Sequence, residues 1–192
     1  GNLEPLALLV QDVAEISGVG IGDAPLVPSG DPGDTGNPYF TSFEVEADPE
    51  ATHVTFISKL TATNDGFVGL DTVQLPEAVN ESMTLHAEAY DAGTEENTEE
   101  WADLVPAAQE LISDGPGTAG TTESNDEIAE DGVIHPHPGI AGEGDLDPEV
   151  YDWEHPPAVV HVEKVDGPGA DVDLGPDEDE GNVTEGEENV TD

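Results

Sequence analysis

An all-β fold is what this chain predicts: an antiparallel β-sandwich with a short N-terminal helix and long loops. Two observations carry that reading. Apolar and polar residues alternate with period two over separated stretches, as strands with one buried face require. The connections between those stretches are rich in Gly and Pro, which punctuate turns.

Taken in order, residues 2–17 predict a helix. Asn2 stands at its N-cap and Pro5 in its first turn, and Leu6, Leu9, Val10, Val13 and Ile16 share one face. Gly18 and Gly20 end it, and residues 22–38 read as loop. "YFTSFEVEA" (39–47) sets Thr41, Phe43 and Val45 against Ser42, Glu44 and Glu46. "THVTFISKL" (52–60) sets Val54, Phe56 and Leu60 against Thr55 and Lys59. "SMTLHAEAY" (82–90) sets Met83, Leu85, Ala87 and Ala89 against Thr84, His86 and Glu88. "AVVHVEKV" (158–165) closes the pattern with Val160 and Val162 inward. Residues 91–157 read mostly as loop, with a short helix expected at 99–113. The folded domain is therefore placed at 1–165. The segment 166–192 has no aromatic residue and no periodicity, and reads as a disordered acidic tail.

Charge narrows the function. The 192 residues include 46 Asp and Glu but only two basic residues, Lys59 and Lys164, for a formal net charge of −44. Such self-repulsion strains a compact state in dilute buffer, whereas at molar salt the screening length falls to about 3 Å. The composition therefore points to a halophilic source. Two lysines cannot neutralise phosphates, which excludes nucleic acid as a partner, and an anionic membrane surface on the same grounds. No apolar run approaches the ~20 residues of a membrane span. Cysteine is absent, which removes thiol catalysis and Cys-ligated zinc. Sequons at Asn80, Asn182 and Asn189 lean toward an exported glycoprotein.

Two acidic turns are the first candidate site. "TNDGFVGLD" (63–71) places Asp65 in an Asn-Asp-Gly turn directly before the apolar residues Phe67, Val68 and Leu70. "YDAGTEEN" (90–97) places Asp91 and Glu95 on either side of Ala-Gly-Thr. Hard cations such as Ca²⁺ take six to eight oxygens from loops of this kind, with Gly permitting the bend. The competing reading is solvated charge. The second candidate is "HPHPG" (135–139), where His135 and His137 on an extended chain offer a transition-metal pair. A third ligand would have to come from His53, His86, His155 or His161; otherwise the segment is a rigid loop whose imidazoles bond to backbone. No phosphate loop, nucleophile elbow or His-Glu-x-x-His helix is present, which favours a non-enzymatic protein.

"TNDGFVGLD", "YDAGTE" and the closing "PPAVVHVEKV", in that order, resemble the spondin N-terminal domain family of F-spondin and mindin. "DGVIHPHPGIAGEGDL" (131–146) resembles the archaeal and bacterial branch of that family. The resemblance spans roughly residues 40 to 165. It implies a C2-like sandwich, extracellular or on the cell surface, that binds Ca²⁺ and mediates adhesion to a surface or matrix protein or a glycan. Carried over by position, the calcium-binding acids fall on Glu46, Asp65, Asp91 and Glu95; Glu95 stands where animal members have Asp. The resemblance also implies a strand ahead of Gly1, so the chain is expected to be a fragment or to receive that strand from a neighbour. The latter would give a homo-oligomer, or a filament, by strand exchange. The alternative from another class is a metalloenzyme or redox protein built on His135 and His137.

Overall fold

A computed structural model describes residues 4–22, 26, 39–104, 128–153 and 156–166. Its elements are a helix α1 (Glu4–Val10) and five strands: β1 (His53–Lys59), β2 (Phe67–Gln74), β3 (Ser82–Asp91), β4 (His135–Pro136) and β5 (Ala158–Glu163). Every pairing is antiparallel. The described strands form one open five-stranded sheet in the order β1-β2-β3-β4, with β5 also on β3.

β3 is the spine, and it changes partners along its length. Ser82 to Ala87 pair with Glu163 to Ala158 of β5. Glu88 to Tyr90 pair with Gly69 to Phe67 of β2, and Tyr90 and Asp91 pair with Pro136 and His135 of β4. Its burial follows the alternation read from sequence: Ala87 and Ala89 are buried and Met83 and Leu85 half-buried, while Thr84, His86 and Glu88 are exposed. β2 is a strand that alternation does not announce, because its pattern breaks at Asp71 and Thr72. There the register with β1 shifts between Val54 and Phe56, Thr72 takes a φ of 50°, and its N–H bonds the Thr55 hydroxyl. That bulge lets the strand keep pairing across two polar residues.

Three expectations need correction. The stretch 39–47 forms no strand: Phe43 and Val45 are about half exposed and lie beside Gly20 without a hydrogen-bonded ladder. Alternation makes a segment amphipathic; only a free edge makes it a strand. The helix is shorter than 2–17, and Leu6, Leu9, Val13 and Ile16 on its expected apolar face are exposed. Lys59, read as outward-facing, is half-buried and turned into the loop that follows β1 (below). Of the helix at 99–113, the described part holds only a single 3₁₀ turn, Trp101–Asp103; residues 105–113, and the tail from 167, lie outside the described residues.

The largest buried hydrophobic cluster sits where a short helix (Trp101, Leu104) and loop (Ile140, Leu146) were expected. Trp101, Leu104, Ile140 and Leu146 form a buried cluster, flanked by Tyr151 and Trp153. Carboxylates hold these irregular segments. Asp145 Oδ1 accepts the Trp101 N–H at 2.6 Å, Asp152 Oδ1 accepts the Ile140 N–H at 3.0 Å, and Asp147 caps the helical turn Pro148–Tyr151.

Candidate metal centre

Three segments meet at the end of the sheet where β3 finishes. The first is the turn 60–66 between β1 and β2. Lys59 closes it from inside: its ammonium donates to Leu60 O (2.9 Å), Thr63 O (2.6 Å), Thr63 Oγ1 (3.0 Å) and Gly66 O (3.3 Å). Burial pulls this lysine down to about 8, against the opposing pull of Asp65, Glu95 and Asp91. Three of the four acids singled out from sequence therefore act on one half-buried cation that the alternation assigned to solvent. A signal existed: a chain stripped of basic residues keeps a lysine five positions before the Asn-Asp-Gly turn.

The second segment is the turn after β3. Asp91 is fully buried; its Oδ1 accepts the Gly93 N–H at 2.7 Å and its Oδ2 accepts from Asn97 Nδ2. Asp65 reaches across from the first turn. Its Oδ2 takes the N–H of Thr94 (2.8 Å), the hydroxyl of Thr94 (2.7 Å) and the N–H of Glu95 (3.0 Å), while its Oδ1 is buried with no hydrogen-bond partner. Asp65 is thus a clamp between the two acidic turns, with one oxygen unspent. Asn64 adds a second tie by donating to Glu96 O at 2.6 Å.

The third segment is 128–137. It runs antiparallel to the 93–96 turn through Glu96 N–H to Ile128 O, Glu130 N–H to Thr94 O and Gly132 N–H to Gly93 O. Gly93 is required there: its φ is +69°, and a Cβ would stand 2.7 Å from Val133 N and O. This ribbon delivers Glu130 and His135 beside Asp91. Among the described residues, one ligand atom each from Asp91, Glu130 and His135 lie within 4.8 Å of one another, and His135 Nε2 is 4.0 Å from Asp91 Oδ1.

The two histidines have different jobs. His135 is partly exposed, and its Nδ1 lies 3.0 Å from Pro136 O, so Nδ1–H donates to that carbonyl. That bond raises its basicity first, with burial opposing and Asp91, Glu130 and Asp65 adding to the rise. His137 is only 5% exposed, packs edge-on against Trp153 at 5.1 Å, and accepts the Gly139 N–H on Nδ1 at 3.1 Å. Burial lowers its basicity, against Asp91 and Asp65. Its Nε2–H is buried without a partner, as is Trp153 Nε1–H.

The structure therefore brings together Asp65, Asp91, Glu95, His135 and His137, which the sequence divided between two sites, and adds Glu130 and Lys59. Glu46 is not with them: it is exposed, with its carbonyl beside Gly18. His53, His86 and His161 are exposed on the strands, and His155 lies outside the described residues. Asn80 is exposed in a turn at φ 63°; Asn182 and Asn189 lie outside the described residues. Among the described residues no helix is long and apolar enough to cross a membrane. Searches against protein-family models, curated proteins and solved structures match nothing to this chain.

Proposed function

We propose that this chain is a non-enzymatic, exported interaction domain of a salt-adapted organism, in which a divalent cation at the end of the sheet fixes the loops that meet a partner. The observation that supports it most is the convergence of Asp65, Asp91 and Glu95, up to thirty residues apart in sequence, around the half-buried ammonium of Lys59 at the end of the sheet. The spondin-type resemblance, with its sandwich, its calcium and its adhesive role at the cell surface, belongs to this proposal. The resemblance implies calcium, the ion that an all-oxygen set of Asp65, Asp91 and Glu95 would take. The ion would neutralise carboxylates that Lys59 alone cannot, and it would lend an open position to an anionic group on a surface protein or glycan.

Two measurements test the reading. In molar KCl, added divalent cation should raise the unfolding midpoint and EDTA should reverse it, since a ligand at a hundred times its Kd adds about 2.7 kcal/mol. Binding to a cell-surface or matrix fraction should fall with chelator. Unchanged stability and unchanged binding after chelation would defeat the proposal.

A further inference from the structure

The ligand atoms at this site specify the class of ion. Asp91, Glu130 and His135 offer a mixed oxygen and nitrogen set, and the imidazole is the discriminating member. Its Nδ1–H is committed to Pro136 O, so in the neutral ring Nε2 carries the lone pair. That lone pair lies 4.0 Å from an oxygen of the fully buried Asp91. Two electron-rich atoms at that separation, with a third from Glu130 in reach, favour a positive charge among them, whether a proton on Nε2 or a metal ion that displaces it. An Nδ1–H bonded to a backbone carbonyl is also the outer-shell contact that orients metal-ligating histidines. Bonds of about 2.0–2.2 Å to one ion separate its ligands by roughly 3–4.4 Å. The observed spacing, at most 4.8 Å, thus needs closure of roughly 2 Å or less.

A second, independent observation points to the same place. His137, nine-tenths buried, holds an unspent Nε2–H, and Asp65 holds an unspent, buried Oδ1. Asp91 and Asp65 both act electrostatically on His137. An unspent donor and an unspent acceptor beside a set of ligands are what a metal-bound water requires. His137 cannot itself be the second imidazole ligand, because its Nδ1 is occupied by the Gly139 N–H and its Nε2 carries the proton.

From this we infer that the site takes a first-row transition-metal dication of the Mn²⁺-to-Zn²⁺ series, bound by Asp91, Glu130 and His135 Nε2, in preference to Ca²⁺. The inference rests on the proposal that the loop cluster holds a divalent cation, and it names the class. Imidazole suits that series, whereas Ca²⁺ selects oxygen.

The test uses the full chain in molar KCl, stripped of metal, titrated calorimetrically with Zn²⁺ and with Ca²⁺, and with Co²⁺ followed by visible absorption. The expected result is one Zn²⁺ per chain, bound more tightly than Ca²⁺, and a Co²⁺ spectrum showing nitrogen ligation. His135→Gln should lose at least about tenfold in Zn²⁺ affinity, since even outer-shell changes cost 10- to 100-fold. Glu130→Gln should do the same. His53→Gln, which removes an exposed imidazole on β1, should change nothing. Because His135 and Glu130 are partly exposed, these variants should keep the fold, and far-ultraviolet circular dichroism verifies it. Stoichiometric Ca²⁺ binding with Zn²⁺ no tighter and His135→Gln without effect would overturn this inference and leave the divalent-cation proposal standing. Loss of Zn²⁺ binding in His53→Gln as large as in His135→Gln would overturn it as scattered surface binding. Stoichiometric binding of neither ion would remove both.

Discussion

Asp65→Ala should destabilise the domain by about 2–4 kcal/mol, and the magnitude follows from what Oδ2 does. It accepts two backbone N–H groups and one hydroxyl, all on the turn after β3. Hydrogen bonds to a charged acceptor contribute about 1.5–3 kcal/mol each when shielded. Glu95 is buried and Thr94 exposed, so the Glu95 N–H bond keeps that value and the two Thr94 bonds compete with water. Removing the carboxylate also withdraws the leading electrostatic support of the half-buried Lys59 ammonium, which acts in the same direction. Asp65→Asn retains a neutral acceptor and should lose only about 1–2 kcal/mol, and Thr94→Val, which deletes the hydroxyl alone, less than about 0.5 kcal/mol. Urea unfolding in molar KCl with EDTA reads the clamp without any ion. With a slope of about 1–3 kcal/mol per molar urea, Asp65→Ala should move the midpoint by roughly 1–2 M. If Asp65→Ala unfolds within about 0.5 kcal/mol of the parent, the clamp is not a structural element. If Asp65→Asn costs as much as Asp65→Ala, charge near Lys59 explains the effect and hydrogen-bond geometry does not.

Further outcomes follow from the same site and its surroundings. Lys59 is held near 8 in the fold against 10.5 unfolded, so the unfolded chain binds the extra proton; stability is lowest below pH 8 and should rise from pH 8 to 10.5. The full rise corresponds to about 3 kcal/mol, and Lys59→Met should flatten it in unfolding curves across that window. Glu99 is drawn the other way: burial opposes its charge, but the N–H groups of Ala141, Glu143, Gly142 and Gly144 outweigh it and hold its carboxyl below the usual value. Its stabilisation is therefore complete above the unfolded carboxylate value and disappears as pH falls through the folded one. Glu99→Gln should reduce the acid sensitivity of unfolding and cost about 1 kcal/mol at neutral pH, discounted for solvent screening. Gly93→Ala should cost more than the about 1 kcal/mol of a positive φ, because its Cβ also collides with the Val133 backbone; hydrogen exchange should show Glu130 and Gly132 amides losing protection together.

What was legible in the sequence, and what was not, divides along physical lines. β1, β3 and β5 were legible because one face is buried, and period two records that directly. β2 was missed because Gly69 and the bulge at Asp71 and Thr72 interrupt the period inside a paired strand. The converse error at 39–47 has the same root: pattern reports which side chains avoid water and says nothing about whether an edge is free to pair. In the core around Trp101, Ile140 and Leu146, the large aromatics mark themselves as anchors, but their aliphatic partners come from aperiodic segments held by side-chain acceptors, which no period announces. At the site, Asp65, Asp91 and Glu95 were readable from turn chemistry. Glu130 was not, since nothing local distinguishes it from the other acids; only its antiparallel run beside Thr94 gives it a role. Of the two readings of the histidine pair, a chelating unit or a rigid loop whose imidazoles bond to backbone, the backbone bonds on both Nδ1 atoms match the second, and they separate the rings into a partly exposed nitrogen donor and a buried hydrogen donor.

The charge pattern itself has a structural logic that a count of carboxylates hides. Asp65, Asp91, Glu99, Asp145, Asp147 and Asp152 each accept backbone N–H groups in irregular segments. The two lysines do the complementary task, with Lys59 donating to three turn carbonyls and Lys164 to Glu77 O. Loops are thus stitched by charges paired with the peptide group, an arrangement that needs few side chains of opposite sign. It also suits molar salt, because a screening length of about 3 Å damps repulsion between acids while leaving a direct hydrogen bond of similar length in place. Two classes of acid then follow, separable by experiment. Asp71 is exposed and takes only the hydroxyl of its neighbour Thr72, so Asp71→Asn should stabilise the domain at low salt and do nothing in molar KCl. Asp145→Asn, which weakens the acceptor for Trp101 N–H, should cost about 1 kcal/mol at every salt concentration. Equal salt dependence for the two would mean that the acids act only through their summed charge, and the stitching would then be a consequence of the fold rather than a support of it.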